Sequence, residues 1–139
     1  MTRRIVLCVG GIVLDDRGRL LLVQRGTEPA KGRWSVPGGR VEAGESDEVA
    51  VAREVLEETG LRVTVERFVG QVERDGPEDS LYVISDYLCQ VEPGDAAGGA
   101  TPRAGDDAAD VRWCTSEEVR QLPLSGGLLK ALHSWGIHI

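Results

Sequence analysis

Arg53, Glu54, Glu57 and Glu58 crowd onto about one and a half turns of a predicted helix. At about 100° per residue, the three glutamates share one narrow face. Carboxylates stacked at i, i+3 and i+4 repel one another and cost helix stability. A divalent cation would remove that cost. A hard ion such as Mg²⁺ takes oxygen ligands of this kind and often carries a substrate phosphate as well. Taken without its surroundings, the same cluster is an acidic, solvated helix face.

The elements around the cluster follow from local chemistry. Ser46 stands where an N-cap belongs, with Asp47 and Glu48 in the first turn. Gly60 follows the last periodic residue, as a left-handed C-terminal cap would. The segment therefore reads as a loop over 39–45, a helix over 47–59, and a stop. Val49, Ala52, Val55 and Leu56 are expected to form the core-facing stripe, on the side away from the carboxylates.

The whole stretch, GRVEAGESDEVAVAREVLEETGL, resembles the Nudix box of the Nudix hydrolase superfamily. The pattern is met at Gly39, Glu45, Arg53, Glu54, Val55, Glu57, Glu58, Gly60 and Leu61. Many constrained positions at fixed spacing make the signal specific. The resemblance extends to LLLVQRG and RWSVPGG upstream, and to DVRW and SEEVRQL downstream. It implies an α/β fold, an α/β/α sandwich around a mixed β-sheet, with residues 1–139 as one domain. It also implies attack of water on a diphosphate bond of a nucleoside diphosphate linked to another moiety, assisted by Mg²⁺ or Mn²⁺.

By the same resemblance, Glu54, Glu57 and Glu58 are metal ligands, and the carbonyl of Gly38 completes the shell. Arg53 orients the site through a bidentate pair with a carboxylate, Glu45 being the leading candidate; a purely structural ion pair is the other reading. Gly39 permits a tight turn beside the substrate. Arg25 either holds a substrate phosphate or is a solvated strand-end arginine. Asp106 and Asp107 precede the DVRW strand, and Asp107 is the candidate for an extra metal ligand or general base, or else a solvated loop acid. Pro77 stands at the distance past the box that marks some ADP-ribose pyrophosphatases, although a proline after Asp-Gly is also ordinary turn chemistry. The resemblance thus favours cleavage of ADP-ribose to AMP and ribose 5-phosphate. A MutT-like nucleoside triphosphate pyrophosphohydrolase is the alternative, and a non-catalytic nucleotide-binding regulatory domain ranks below both. Trp34 is near the box and reads as core rather than as a base-stacking residue.

Composition sets outer limits. A net charge of −7 argues against a nucleic-acid partner, which needs a basic surface. Cys8, Cys89 and Cys114 have neither Cys-x-x-Cys spacing nor a histidine at ligand distance, so they read as buried free thiols in a reducing cytoplasm. The apolar run after Arg3 and Arg4 is too short to span a membrane and reads as a buried first strand. The partner is a small nucleoside diphosphate derivative, and homodimers among relatives make a homodimer admissible here.

Further strands are expected over 4–15, 20–24, 34–36, 62–73, 80–91 and 111–114, the first two joined as an antiparallel hairpin. The segment 92–109 reads as a mobile surface loop. Helices are expected over 116–122 and 127–135, with Ser116 and Ser125 as caps.

Overall fold

The structure is a computed structural model, and it describes residues 3–28, 30–93, 102–105 and 107–139. The elements run β1 (Arg4–Val13), β2 (Leu20–Arg25), β3 (Trp34–Ser35), β4 (Gly38–Arg40), α1 (Asp47–Thr59), β5 (Val63–Asp75), a 3₁₀ turn (Pro77–Asp79), β6 (Ser80–Val91), β7 (Ala108–Cys114), α2 (Ser116–Gln121) and α3 (Leu128–Ser134). Among the described residues the strands form a four-stranded sheet ordered β4-β1-β6-β5 and a three-stranded sheet ordered β3-β2-β7. The first is mixed: β1 runs parallel to β6 and antiparallel to β4.

The alternation of side chains along the strands builds two cores. Val9, Val13, Leu21 and Val23 pack with Ala50, Val51 and Val55 of α1. Ile12, Leu20 and Leu22 point the other way, to Val119 of α2 and Leu128 and Leu132 of α3. This explains the unbroken apolar run of β2, since a strand covered on both faces has no polar side. Each fully buried leucine there contributes about 1.5–3 kcal/mol. The expected α/β/α layering is present, with the strands divided between two sheets rather than one.

Several local expectations are corrected. β1 and β2 do not form an extended hairpin: they enter different sheets, and among the described residues the bridge between them is Leu14–Leu20. β4 takes up the start of the expected loop over 39–45, because Gly38–Arg40 pairs with β1 from Cys8 to Gly10. The cap of α2 is Thr115, not Ser116, in a reciprocal capping box with Glu118. α3 has no side-chain cap; Gly127 precedes it at φ 80°, and the Ser125 carbonyl accepts from Leu128 N. Residues 94–101 and Asp106, within the expected mobile loop, lie outside the described residues.

The largest correction concerns the rotation of α1. Its ends fall as expected: Ser46 accepts from Val49 N, and Gly60 is left-handed at φ 75°. Its buried residues, however, are Ala50, Val51, Val55 and Thr59. Of the expected stripe only Val55 is buried, while Val49 and Leu56 are 57% and 41% exposed. The helix turns the Glu54–Glu58 edge toward the sheet and leaves Val49 and Leu56 to water. Truncating Val55 to Ala should therefore cost about 2 kcal/mol in denaturant unfolding, whereas Leu56→Ala should stay within about 0.5 kcal/mol. The opposite ranking would restore the orientation expected from the sequence.

Candidate active site

The site is the seam between α1 and β4. Arg53 is its hub. Its Nε and Nη2 donate to Glu45 Oε2 and Oε1 at 2.6 and 2.9 Å, so the bidentate pair expected from the sequence is formed. Nη1 donates to Glu54 Oε1 at 2.8 Å and to Glu57 Oε2 at 3.2 Å, and Nη2 also donates to the Arg40 carbonyl at 3.0 Å. One guanidinium thus ties the loop before the helix, the end of β4 and two carboxylates of the helix face. Glu45 in turn accepts from Glu42 N at 2.8 Å, which closes the loop onto itself. Hydrogen bonds from Arg53 and from the Glu42 amide hold the Glu45 carboxyl below its ordinary range.

Glu58 takes a different environment. Its Oε1 accepts from Gly38 N at 2.8 Å, directed inward beneath the helix. Burial pushes its carboxyl up to about 8; the Gly38 amide and the charge of Arg25 oppose this, and the nearby Glu54 carboxyl adds to it. Glu57 is the outermost of the three, with its side chain 58% exposed. The helix face therefore presents a braced carboxylate, a buried one and an open one.

Gly39 is required for the close approach of a side chain. Its backbone does not adopt a left-handed conformation. The Glu54 carboxyl lies directly against it, and a Cβ there would sit 2.6 Å from the Glu54 Cδ. Gly38 is similarly confined: a Cβ would lie 2.9 Å from the Gly10 Cα. Arg25 ends β2 within electrostatic reach of Glu58. Asp107 comes near through its backbone, its carbonyl accepting from Gly26 N at 3.3 Å, and its side chain is exposed. Pro77 opens the exposed turn between β5 and β6, its carbonyl held by Ser80 Oγ at 2.7 Å. Trp34 is buried in the second core under the Arg112 guanidinium, as a core residue should be.

Sequence reasoning missed one part of this seam. Residues 103–105 cross the C-terminal end of α1: Arg103 N donates to Thr59 O at 2.8 Å and Gly105 N to Glu58 O at 3.0 Å. These bonds satisfy carbonyls that a helix end leaves open, and α1 has no basic residue in its last turn to do so. A Cβ on Gly105 would overlap the Glu57 carbonyl. The only sequence signal for this docking was the glycine itself.

The donor set suits a hard divalent cation, since every group is an oxygen and neighbouring carboxyls disfavour one another's charge. Among the described residues the acidic side chains are not gathered around a common point, because Arg53 draws Glu54 and Glu57 aside and Gly38 holds Glu58. The fit is thus one of ligand chemistry and proximity.

Glu58 also sets a pH dependence. Its folded value near 8 lies above the ordinary carboxyl value of about 4.3. Between those values the folded chain binds more protons than the unfolded one, so metal-free stability should fall as pH rises from about 4.3 toward 8. Asp86, lifted by burial to about 7, adds to the same trend. Denaturant midpoints measured across that range should drop, and Glu58→Gln should flatten the slope; an unchanged slope would show that Glu58 titrates normally.

Comparison with known proteins gives the family. The NUDIX domain family matches residues 4–134. A MutT-like protein of Streptomyces ambofaciens is 33% identical over 134 residues, which span 94% of this chain and 79% of the relative. An ADP-ribose pyrophosphatase of Methanocaldococcus jannaschii is 37% identical over 107 residues, 77% of this chain and 60% of the relative's length. The crystal structure of a MutT protein from Methanosarcina mazei Go1 superposes with a TM-score of 0.81, covering 98% of this chain and 96% of that one; at 21% identity this likeness speaks for the fold. The box helix, its arginine hub and the family match over nearly the whole length lead to one conclusion: the chain belongs to the Nudix hydrolase family.

Proposed function

We propose that this Nudix hydrolase cleaves the diphosphate bond of ADP-ribose, giving AMP and ribose 5-phosphate. The observation that carries the reading is the seam at α1, where Arg53 braces Glu54 and Glu57 while Gly38 holds Glu58 beside Arg25. Similarity to the M. jannaschii ADP-ribose pyrophosphatase supports the substrate. Hydrolysis of a nucleoside triphosphate is the second reading, favoured by the MutT-like relative that aligns over 94% of the chain.

Glu54, Glu57 and Glu58 would hold Mg²⁺ or Mn²⁺, with the Gly38 carbonyl and Asp107 as further oxygen donors. When bound, the cation supplies charge neutralisation and polarisation of a phosphoryl oxygen. The chain's own residues do the positioning. Arg53 holds Glu54 and Glu57 on the helix face, from which a cation would gather them. Arg25 meets the incoming diphosphate with a charge of the right sign. Absence of a side chain at Gly39 lets the Glu54 carboxyl lie flat against β4. The attacking water's oxygen bonds to phosphorus as the bridging P–O bond breaks. The leaving phosphate takes the electron pair, and the water's proton passes to a carboxylate of the helix face. The buried thiols Cys8, Cys89 and Cys114 support a cytoplasmic setting, and among the described residues no helix is long and apolar enough to cross a membrane.

A panel of ADP-ribose, other nucleoside diphosphate sugars and nucleoside triphosphates, assayed with Mg²⁺ and resolved by chromatography, should show ADP-ribose consumed fastest. Pyrophosphate and a monophosphate formed fastest from a triphosphate would favour the second reading. Glu57→Gln should lower turnover on the order of 100-fold or more without unfolding the chain. Millimolar Mg²⁺ should raise the melting temperature of the native protein by linkage, and a much smaller rise is expected for Glu57→Gln.

A further inference from the structure

Arg40 ends β4, and its side chain has no part in the hub at Arg53. Its backbone does belong to the seam. The Arg40 carbonyl accepts from Arg53 Nη2 at 3.0 Å, and Gly38, two residues earlier on the same strand, holds Glu58. Two residues of strand span about 7 Å. Arg40 therefore stands about one diphosphate's length from the carboxylate edge.

The side chain crosses onto the sheet face away from α1. Cys8 pairs with both Arg40 and Ile84, and Val6 pairs with Tyr82, so these side chains share one face. α1 covers the other face, where Gly11 meets Val51 and Val55. Val6, Tyr82 and Ile84 are half-buried and belong to neither core. Over this shelf the exposed Arg40 guanidinium lies 5.6 Å from the centroid of the Tyr82 ring, and its Nη2 donates to the Tyr82 hydroxyl at 2.9 Å.

Two features separate this arginine from a freely solvated one. It is held, since the ring face and the hydroxyl both restrain the guanidinium. It is also unspent: among the described residues it pairs with no acid, and one contact to a hydroxyl leaves most of its N–H donors for a ligand. A planar fork in that state matches two oxygens of a phosphate. Its charge also acts at the right end of the seam. Burial pushes the Cys8 thiol up, while Arg40 and Glu54 act on it in opposite directions, so both groups lie within electrostatic reach of one sulfur. Arg25 brings its charge to Glu58 instead. The two arginines thus serve different carboxylates of the box.

We infer that Arg40 is a second phosphate-binding residue, its guanidinium taking the non-bridging oxygens of the phosphate that Arg25 does not meet, with Tyr82 as the positioning residue that holds the fork. The inference rests on the proposed nucleoside diphosphate chemistry and deepens it by giving each phosphate its own arginine. The exposed side chain needs no opening of the fold to make this contact.

The test measures binding of α,β-methylene-ADP with Mg²⁺ by calorimetry. This probe carries the nucleoside diphosphate core common to both substrate readings, and its P–C–P bridge resists hydrolysis. Arg40→Ala should weaken binding by about 10- to 100-fold, and the advantage of the probe over AMP should shrink with it. Arg40→Lys keeps the charge without the fork and should fall between. Tyr82→Phe should cost about 3- to 10-fold in the native background and nothing further in Arg40→Ala, because its hydroxyl acts through the arginine. The rise in melting temperature with Mg²⁺ should be the same in Arg40→Ala as in wild type, which separates substrate binding from damage to the box. Unchanged affinity in Arg40→Ala, or wild type that does not bind the probe, would overturn the assignment. A Tyr82→Phe loss that persists in Arg40→Ala would overturn the positioning role. Wild type that binds the probe through Arg40 yet does not cleave ADP-ribose would refute the proposed substrate and leave this inference standing.

Discussion

The carboxylate edge of α1 is held against the sheet instead of being released to water, and the rest of the seam is organised around making that tolerable. Packing acids into an interface costs free energy unless each oxygen finds a donor. Arg53 supplies donors to Glu45, Glu54 and Glu57, and Gly38 supplies one to Glu58. Glu58 stays costly even so, since burial lifts its carboxyl well above the ordinary range. A site that strains its own acids in this way is suited to an incoming cation, which relieves the strain as it binds.

The same constraint explains the rotation of the helix. With Glu58 turned inward, Ala50, Val51, Val55 and Thr59 share its side and become the buried face. Val49 and Leu56 are then carried outward. Apolar residues exposed singly in this way are ordinary on protein surfaces. Small residues complete the fit: Gly39 admits the Glu54 carboxyl, and Gly11 admits Val55 against β1. The helix can approach the sheet only where side chains have been removed.

Much of this was legible in the sequence, because it depends on local chemistry. Ser46, Gly60 and the spacing of the box gave α1 its true limits, and Arg53 found Glu45 as expected. The failures have a common physical origin. Periodicity alone assigns charged residues to water, so the core stripe of α1 was placed on the wrong side. The partition of β1 and β2 between two sheets depends on long-range pairing with β6 and β7, which neither strand encodes by itself. The burial of Asp86 becomes visible only once Gly10 and Gly70 are seen on either side of it. A glycine pair inside the apolar run of β1 was the available hint that something approaches closely there.

Residues 103–105 on one side and Asp107 on the other each have fixed attachments. One end is bonded to the last carbonyls of α1, and the other passes the Asp107 carbonyl to Gly26 before entering the β7 ladder against β2. These attachments tie the helix that carries Glu58 to the strand that carries Arg25. Lengthening or shortening the chain between them could not be absorbed locally. The change would have to appear as a slipped register in β7 or as a displaced end of α1, and so as a change in the distance between the helix that carries Glu58 and the strand that carries Arg25.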